Sequence, residues 1–297
     1  MQPDEGDNLA SVGQEVVCPS KQPMKNTSQL TPAFSPTPST FRLRRRTPGS
    51  FLLIPSVREG RCIRCQGQLE GKAALILAAC PAVKLLQEQP GQIWYEWDTT
   101  SNDVIRLFDE PQRLSRRKCR LRTSYIVPDF LVETRLQKRL IEVKPSRRLH
   151  KPDTVRKLSV ARLYAQQNEM TFHVVTEQHL SRQPLLDNVR QLSRYSRFQP
   201  DRRLVSVILD SIPMDGSSVG QLARQLDQPG PVVTWHILYL LAIHQASGDL
   251  VHHALNTDYQ LYPEGVLEWD PFESAWALNG SLTDGPGGSS VSLMQND

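Results

Sequence analysis

Long hydrophobic runs are missing from this chain of 297 residues, and its five cysteines are few. No apolar stretch approaches the roughly 18 residues that a membrane helix needs, so we expect no membrane span. The N-terminus has no basic segment followed by an apolar one, and we therefore predict no signal peptide. An odd number of scattered cysteines in such a chain favours a reducing cytoplasm over a disulfide framework.

Two of the cysteines, Cys62 and Cys65, have the CxxC spacing of half a zinc site. The sequence contains no second pair of this kind, so Cys80, Cys119 or distant histidines would have to complete the site. We therefore interpret Cys62 and Cys65 as reduced cysteines ahead of a helix, with a zinc site as the alternative.

Basic residues are concentrated in one part of the chain. The net charge is only +4, but residues 106–162 contain 17 Lys and Arg against 6 Asp and Glu. An excess of this kind is typical of a surface that binds a polyanion such as nucleic acid. A solvated basic face would give the same count, so the charge alone leaves both interpretations open.

Composition divides the chain into four parts. Residues 1–45 are rich in Pro, Ser, Thr and Gln, and we predict a disordered arm that ends in an arginine cluster at 42–46. This cluster either contacts DNA or solvates a linker. Residues 279–297 are rich in Gly and Ser and are predicted to be a flexible tail. Between them we place a larger domain at 50–198 and a smaller one at 200–278.

The larger domain alternates helices and strands. Hydrophobic patterns predict a helix at 69–80, an aromatic strand at 93–97, two strands joined by a turn at 125–133 and 139–144, a helix at 153–165, and a strand at 171–176. This order predicts an α/β fold with a mixed sheet.

The two strands joined by a turn carry the chemistry. Residues i and i+2 of a strand point to the same face, so Glu142 and Lys144 project together while Val143 points into the core. If the hairpin brings Asp129, which follows Pro128, alongside them, two carboxylates and one ammonium meet. Such oxygen ligands suit Mg²⁺. The pattern predicts a metal-dependent nuclease; an exposed charge pair of little consequence is the alternative.

The smaller domain has the plan of a winged helix. Helices are predicted at 203–210, 219–226 and 232–242, with Ser217 or Ser218 capping the second, followed by a hairpin of 250–255 and 259–262. In a DNA reader of this kind the third helix carries basic side chains for the major groove. This one has an apolar surface, so binding of a partner is at least as well supported as groove reading.

In order and spacing, residues 60–180 resemble the N-terminal endonuclease domain of the TnsA proteins, the subunits of heteromeric cut-and-paste transposases that cut the 5′ strands at transposon ends. The segments that carry the resemblance are 68–70, 80–83, 89–90, 93–95, 127–130 and 141–144. The resemblance implies a restriction-endonuclease-like PD-(D/E)xK core, followed by a small winged-helix-like C-terminal domain.

The resemblance also implies the site residues Glu70, Asp129 and Lys144, whereas the position of Glu142 varies in the family. We predict Glu70, Asp129, Glu142 and Lys144 as catalytic residues. Glu70, Asp129, Glu142 and the Val143 carbonyl are the expected ligands of one or two Mg²⁺, for which Mn²⁺ could substitute. Lys144 would orient the attacking water or neutralise the phosphate.

The partners that the resemblance implies are double-stranded DNA at transposon ends, a TnsB-like transposase that cuts the 3′ strands, and a TnsC-like AAA+ ATPase on the C-terminal domain. The protein would then work at the nucleoid of a bacterial cytoplasm. Three basic residues directly follow Lys144: Arg147, Arg148 and Lys151. They would bind phosphates or form a solvated loop. Two other functions stay open: a stand-alone restriction or repair nuclease, and a non-catalytic DNA- or partner-binding scaffold.

Overall fold

A computed structural model describes residues 52–56, 60–108 and 120–272. The predicted arm at 1–45, its arginine cluster, Cys119 and the tail at 279–297 lie outside these residues. The strands are β1 (Leu52–Ser56), β2 (Arg61–Cys65), β3 (Val83–Glu88), β4 (Ile93–Asp98), β5 (Val104–Phe108), β6 (Leu121–Ile126), β7 (Phe130–Thr134), β8 (Lys138–Val143), β9 (Thr171–Val175), β10 (Ser217–Ser218), β11 (Ala246–Ser247) and β12 (Gln260–Pro263). The helices are α1 (Gln68–Ala79), α2 (Pro152–Gln167), α3 (Glu177–Leu180), α4 (Leu185–Tyr195), α5 (Arg202–Ser211), α6 (Val219–Gln225) and α7 (Gly230–Ala242).

The central sheet has the strand order β3-β7-β8-β9. Strands β3, β7 and β8 are antiparallel, and β9 runs parallel to β8, which confirms the predicted mixed sheet. Both faces of the sheet are covered, because Phe130 and Ile141 pack in the cluster that contains α1, whereas Leu131 and Leu140 pack with α2. Strand β8 is buried from Arg139 to Val143, although Arg139 and Glu142 are charged.

The predicted strand at 125–133 is wrong as a single element. Strand β6 ends at Ile126 and pairs with β4 in a separate antiparallel sheet of order β5-β4-β6, while β7 begins only at Phe130. Pro128 has no N–H to donate to a ladder. The Asp129 N–H donates instead to Glu142 Oε2 at 3.3 Å. The chain therefore changes sheets at the residues that carry the candidate chemistry.

Most of the other predicted elements of this part are confirmed within a few residues. Helix α1 ends before Pro81, as expected from a residue that cannot continue a helix. The sequence did not predict strands β1, β2, β3 and β5 or helices α3 and α4. Helix α2 packs through the small residues Ala161 and Ala165 and through Val160, while Val155 is 47% exposed.

Residues 202–263 contain the three predicted helices and a small sheet of order β10-β12-β11. Ser218 caps α6 in both directions: its hydroxyl accepts from Gln221 N at 3.1 Å, and its own N–H donates to Gln221 Oε1 at 2.9 Å. The hydrophobic cluster that contains Phe130 and Ile141 includes residues of α1, α4, α6 and α7. The division of the chain between residues 198 and 200 stays a prediction.

The predicted strand at 250–255 is wrong, because its backbone is bonded to side chains and not to a ladder. The buried Asn188 of α4 donates to the carbonyls of Leu250 at 2.9 Å and His253 at 2.7 Å, and it accepts from Leu255 N at 3.0 Å. A segment whose polar groups are satisfied in this way needs no partner strand. In the described ranges, no helix combines the length and the apolar character required to cross a bilayer.

Candidate active site

The break between β6 and β7 places Asp129 against the end of β8. Asp129 Oδ2 accepts from Val143 N at 2.6 Å, and Glu142 Oε2 accepts from Asp129 N at 3.3 Å. Each carboxylate therefore accepts a hydrogen bond from backbone at or next to the residue that carries the other carboxylate. The structure brings Asp129 and Glu142 together, as the motif predicts, at the point where two neighbouring strands begin and end.

Lys144 reaches over this pair and contacts three oxygen atoms at once. Its Nζ lies 2.5 Å from Glu142 Oε1, 3.4 Å from Asp129 Oδ2 and 3.2 Å from the Val143 carbonyl oxygen. Its own backbone N–H donates to Val175 O of β9 at 3.0 Å, which fixes the start of the side chain. Two carboxylates and one carbonyl thus converge on a single positive charge.

The site holds more negative than positive charge. Burial first, and then the neighbouring Asp129, raise the pKa of Glu142 to about 7, although Lys144 acts in the opposite direction. The pKa of Glu70 is also raised to about 7, again by burial and then Asp129, against the Gln66 N–H and Lys144. Burial alone would lower the pKa of Lys144, but Asp129 and Glu142 outweigh it and the pKa is raised.

Glu70 belongs to a helix, whereas Asp129 and Glu142 belong to the central strands and the turn before them. It lies in the first turn of α1, and its Oε2 accepts from Gln66 N at 2.7 Å. In the part of the chain that the structure describes, no three His, Cys, Asp or Glu side chains are gathered closely enough to hold a metal ion. The oxygens that fit a cation are therefore those of Asp129, Glu142 and Val143. This set suits Mg²⁺, which keeps several waters and takes one or two carboxylates.

A clamp that was not predicted fixes the loop behind Lys144. Glu177, at the start of α3, accepts from Ser146 N at 2.9 Å and also bonds the Ser146 hydroxyl. The hydroxyl first, and then the N–H, lower the pKa of Glu177. The clamp holds the short turn Ser146–Arg148, on which Arg147 and Arg148 are exposed beside the site.

A second buried ion pair was also not predicted. Arg139 of β8 is only 3% exposed, and its Nη1 lies 2.6 Å from Asp270 Oδ2. The guanidinium stacks 4.5 Å from the ring centroid of Phe272, which also packs at 4.4 Å against His173 of β9. Burial first, and then Arg139, lower the pKa of His173 to about 4. The charged Arg139 within a buried strand is a sequence signal for a buried ion pair. Its partner Asp270 could not be identified, because it lies 131 positions away.

The cysteines in the described ranges, Cys62, Cys65 and Cys80, are free thiols. Cys65 lies in the hydrophobic core, where burial first, and then the carboxylates of Glu70 and Glu88, raise its pKa to about 12. Burial and these carboxylates therefore disfavour the thiolate, which is the form that binds zinc. Cys62 is half-buried, and its sulfur accepts from Arg197 Nη2 at 3.8 Å.

A family model described as the TnsA-like endonuclease N terminal matches residues 80–177. The chain carries a TnsA-like endonuclease domain. The resemblance to the TnsA family is thereby confirmed, and the mixed α/β architecture fits it. The matched residues of the TnsA-like domain include Asp129, Glu142, Val143 and Lys144, whereas Glu70 precedes them. None of the curated proteins compared with the chain matches it.

Proposed function

We propose that this protein is a Mg²⁺-dependent DNA endonuclease with a restriction-endonuclease-like core, and that it cuts the 5′ strands at transposon ends as one subunit of a heteromeric transposase. The observation that carries the proposal is the convergence of the Asp129, Glu142 and Val143 oxygens on one positive charge within a TnsA-like domain.

Asp129, Glu142 and the Val143 carbonyl would hold Mg²⁺, which when bound stabilises charge on the scissile phosphate and acidifies the attacking water. The fit rests on the donor chemistry, because all three atoms are oxygens and they already share one cation. Lys144 would then be displaced towards the phosphate, where a compact ammonium neutralises charge or orients the water.

Glu70 would act on protons more than as a direct ligand. A pKa of about 7 lets a carboxylate take up and release a proton near neutral pH, which is the property of a general base. Its position at the start of α1, in the field of Asp129 and Lys144, supports this role. If a second Mg²⁺ binds, Glu70 would help to hold it or its waters.

The substrate and the partners follow from the surfaces around the site. Arg147, Arg148 and Lys151 are exposed directly behind Lys144 and would bind the phosphates of double-stranded DNA. The element order α5-β10-α6-α7-β11-β12 supports a winged-helix-like C-terminal domain. Its third helix, α7, contains no Lys or Arg and exposes 45% of Trp235. We assign this surface to a TnsC-like ATPase, with a TnsB-like subunit cutting the 3′ strands.

The test is strand-specific cleavage in a reconstituted system. The full chain is combined with the transposase and ATPase encoded beside it, Mg²⁺, and a transposon-end DNA labelled on each strand in turn. We expect cuts in the 5′ strands with the wild type. With Asp129→Asn, 5′ cleavage should fall at least about 100-fold, because one charged group at the reacting centre is lost, while the 3′ cuts persist.

Asp187→Asn is the matched control, because this aspartate is 65% exposed and pairs with Arg190 on the surface of α4. It should cut as the wild type does. Undiminished 5′ cleavage by Asp129→Asn would refute the site. Cleavage by the purified chain without partners would instead favour a stand-alone nuclease.

A further inference from the structure

The sheet β5-β4-β6 carries a row of three aromatic side chains on one face. Its register places Trp94 of β4 opposite Phe108 of β5 on one side and opposite Tyr125 of β6 on the other. Directly opposed residues on neighbouring strands point to the same face. The rings of Trp94 and Tyr125 are 4.8 Å apart at an angle of 47°, and Tyr125 is 39% exposed.

This row is not part of a hydrophobic core. The opposite face of the sheet, which includes Ile93, Tyr95 and Ile126, packs against α2. Within the described residues, neither of the two hydrophobic clusters contains Trp94, Phe108 or Tyr125. Aromatic side chains that lie outside the core and reach solvent are more typical of a contact surface than of packing.

The groups that surround the row are positive where they meet solvent. Arg106 lies 4.8 Å from the ring centroid of Phe108 and bonds Glu96 at 2.9 Å, and Arg120 bonds Asp98 at 2.6 Å. The two carboxylates are only 4% and 12% exposed, whereas the arginines are 54% and 63% exposed. An incoming ligand therefore meets guanidinium groups beside aromatic rings, which complements a phosphate backbone.

The row also leads directly to the candidate active site. Strand β6 continues from Tyr125 through Ile126 to the break that carries Asp129. Four residues at about 3.3 Å each place Tyr125 within about 13 Å of Asp129 along the chain. A DNA strand bound at the site would pass near this face of the sheet.

We propose that Phe108, Trp94 and Tyr125 form a stacking platform for unpaired bases of the DNA strand beside the cleaved phosphate. The platform depends on the proposed function, because it binds the substrate of that site. Rings offer base stacking of about 1–3 kcal/mol per base, and they need open base faces that an intact duplex does not present. The platform thus implies that the DNA is locally unpaired next to the cut.

The test measures binding without cleavage. Fluorescence anisotropy follows a labelled oligothymidylate of about 12 nucleotides binding to the full chain in EDTA, with a blunt duplex of the same length in parallel. We expect Tyr125→Ala to weaken binding of the single strand by about 5- to 100-fold, the range that corresponds to loss of one stacked base. Tyr125→Phe keeps the ring and should bind within about twofold of the wild type. Duplex binding should be unchanged in both variants.

Two further variants complete the experiment. Tyr125→Leu retains apolar volume without a ring. It should weaken binding of the single strand as Tyr125→Ala does, and it replaces that variant if Tyr125→Ala folds poorly. Trp235→Ala removes an exposed aromatic ring from α7 and should have no effect. Wild-type single-strand affinity in the folded Tyr125→Ala and Tyr125→Leu variants would overturn the platform, as would an equal loss for the duplex. An equal loss of single-strand and duplex binding would indicate a general duplex-binding face. Wild-type binding of both DNAs by the variants would leave a protein partner as the occupant.

Failure of the platform is distinguishable from failure of the proposed function. Single-strand binding is measured in EDTA and strand-specific cleavage in the reconstituted system, so each has its own readout. Loss of single-strand binding in Tyr125→Ala, with no nuclease activity of the wild type in the reconstituted system, would retain the platform and reject the nuclease. The reverse pattern, intact cleavage with unchanged binding, would reject only the platform.

Discussion

The chain around β8 contains two buried clusters of charge that differ in their balance. Towards the start of the strand, Arg139 meets one carboxylate, that of Asp270, and the ring of Phe272 covers it. Just past the end, Lys144 meets two carboxylates, with the charge of Glu70 close by. Among the described residues, the first cluster pairs one positive charge with one negative charge. The second has an excess of negative charge.

This difference separates a structural contact from a candidate reactive site. A buried charge with one good partner is satisfied, and it adds nothing that could react. A buried cluster with excess negative charge resists ionisation, which is why the pKa values of Glu142 and Glu70 rise to about 7. Such a cluster lowers the free energy of unfolding of the protein until a proton or a cation binds to it. Active sites commonly destabilise the folded state in this way.

The largest expected effect is on the balanced pair. Asp270→Asn leaves Arg139 buried without its counter-charge, and we expect the free energy of unfolding to fall by about 3–5 kcal/mol. This change in the free energy of unfolding is measured by urea denaturation, monitored by far-UV circular dichroism. Glu268→Gln is the control, because this residue pairs with Arg135 at the surface, where the change should stay below about 0.5 kcal/mol. An unchanged urea midpoint for Asp270→Asn would show that the pair is not structural.

An intermediate effect is expected from pH at His173, which packs on the same Phe272. Its folded pKa of about 4 lies below the unfolded value of 6.5, so the unfolded state binds more protons between these values. Stability is therefore intact above pH 6.5 and falls as the pH drops towards 4, by on the order of 1–2 kcal/mol. Urea midpoints at pH 7 and pH 5 for the wild type and His173→Gln test this. The variant should lose this pH dependence, while His150→Gln, at an exposed position, should keep it. Parallel behaviour of all three proteins would contradict the prediction.

A smaller effect of opposite sign is expected in the unbalanced cluster. Glu142→Gln removes one of the competing carboxylates and leaves Lys144 with Asp129, so the free energy of unfolding should rise by about 1 kcal/mol while cleavage is lost. Glu133→Gln on the neighbouring strand is the control, since it is 42% exposed and lies 3.9 Å from Lys138. It should change stability by less than about 0.5 kcal/mol. Destabilisation by Glu142→Gln in metal-free buffer would remove the contrast between the clusters.

The sequence predicts the unbalanced cluster far better than the balanced one. Asp129, Glu142 and Lys144 lie within a short segment, and strand periodicity states which side chains share a face. Helix α1 is equally local, since its length, its composition and Pro81 define it. These features need only neighbouring residues, and the structure agrees with them.

Features that depend on distant residues could not be predicted. Arg139 and Asp270 are 131 positions apart, and nothing between them indicates the contact. Asn188 replaces the ladder of a predicted strand through bonds across 62 to 67 positions. The change of sheet at Pro128 also depends on β4, which pairs with β6 and not with β7. In each case a tertiary hydrogen bond overrides the local pattern.

The most direct test of the central claim is the melting temperature of the metal-free protein as Mg²⁺ is added at pH 7.5. If Asp129, Glu142 and Val143 form a Mg²⁺ site, Mg²⁺ binds the folded state and raises the melting temperature of the wild type and of Glu133→Gln with increasing concentration. Glu142→Gln should start higher and respond much less. An equal Mg²⁺-dependent rise in Glu142→Gln, or no rise in the wild type, would contradict the account.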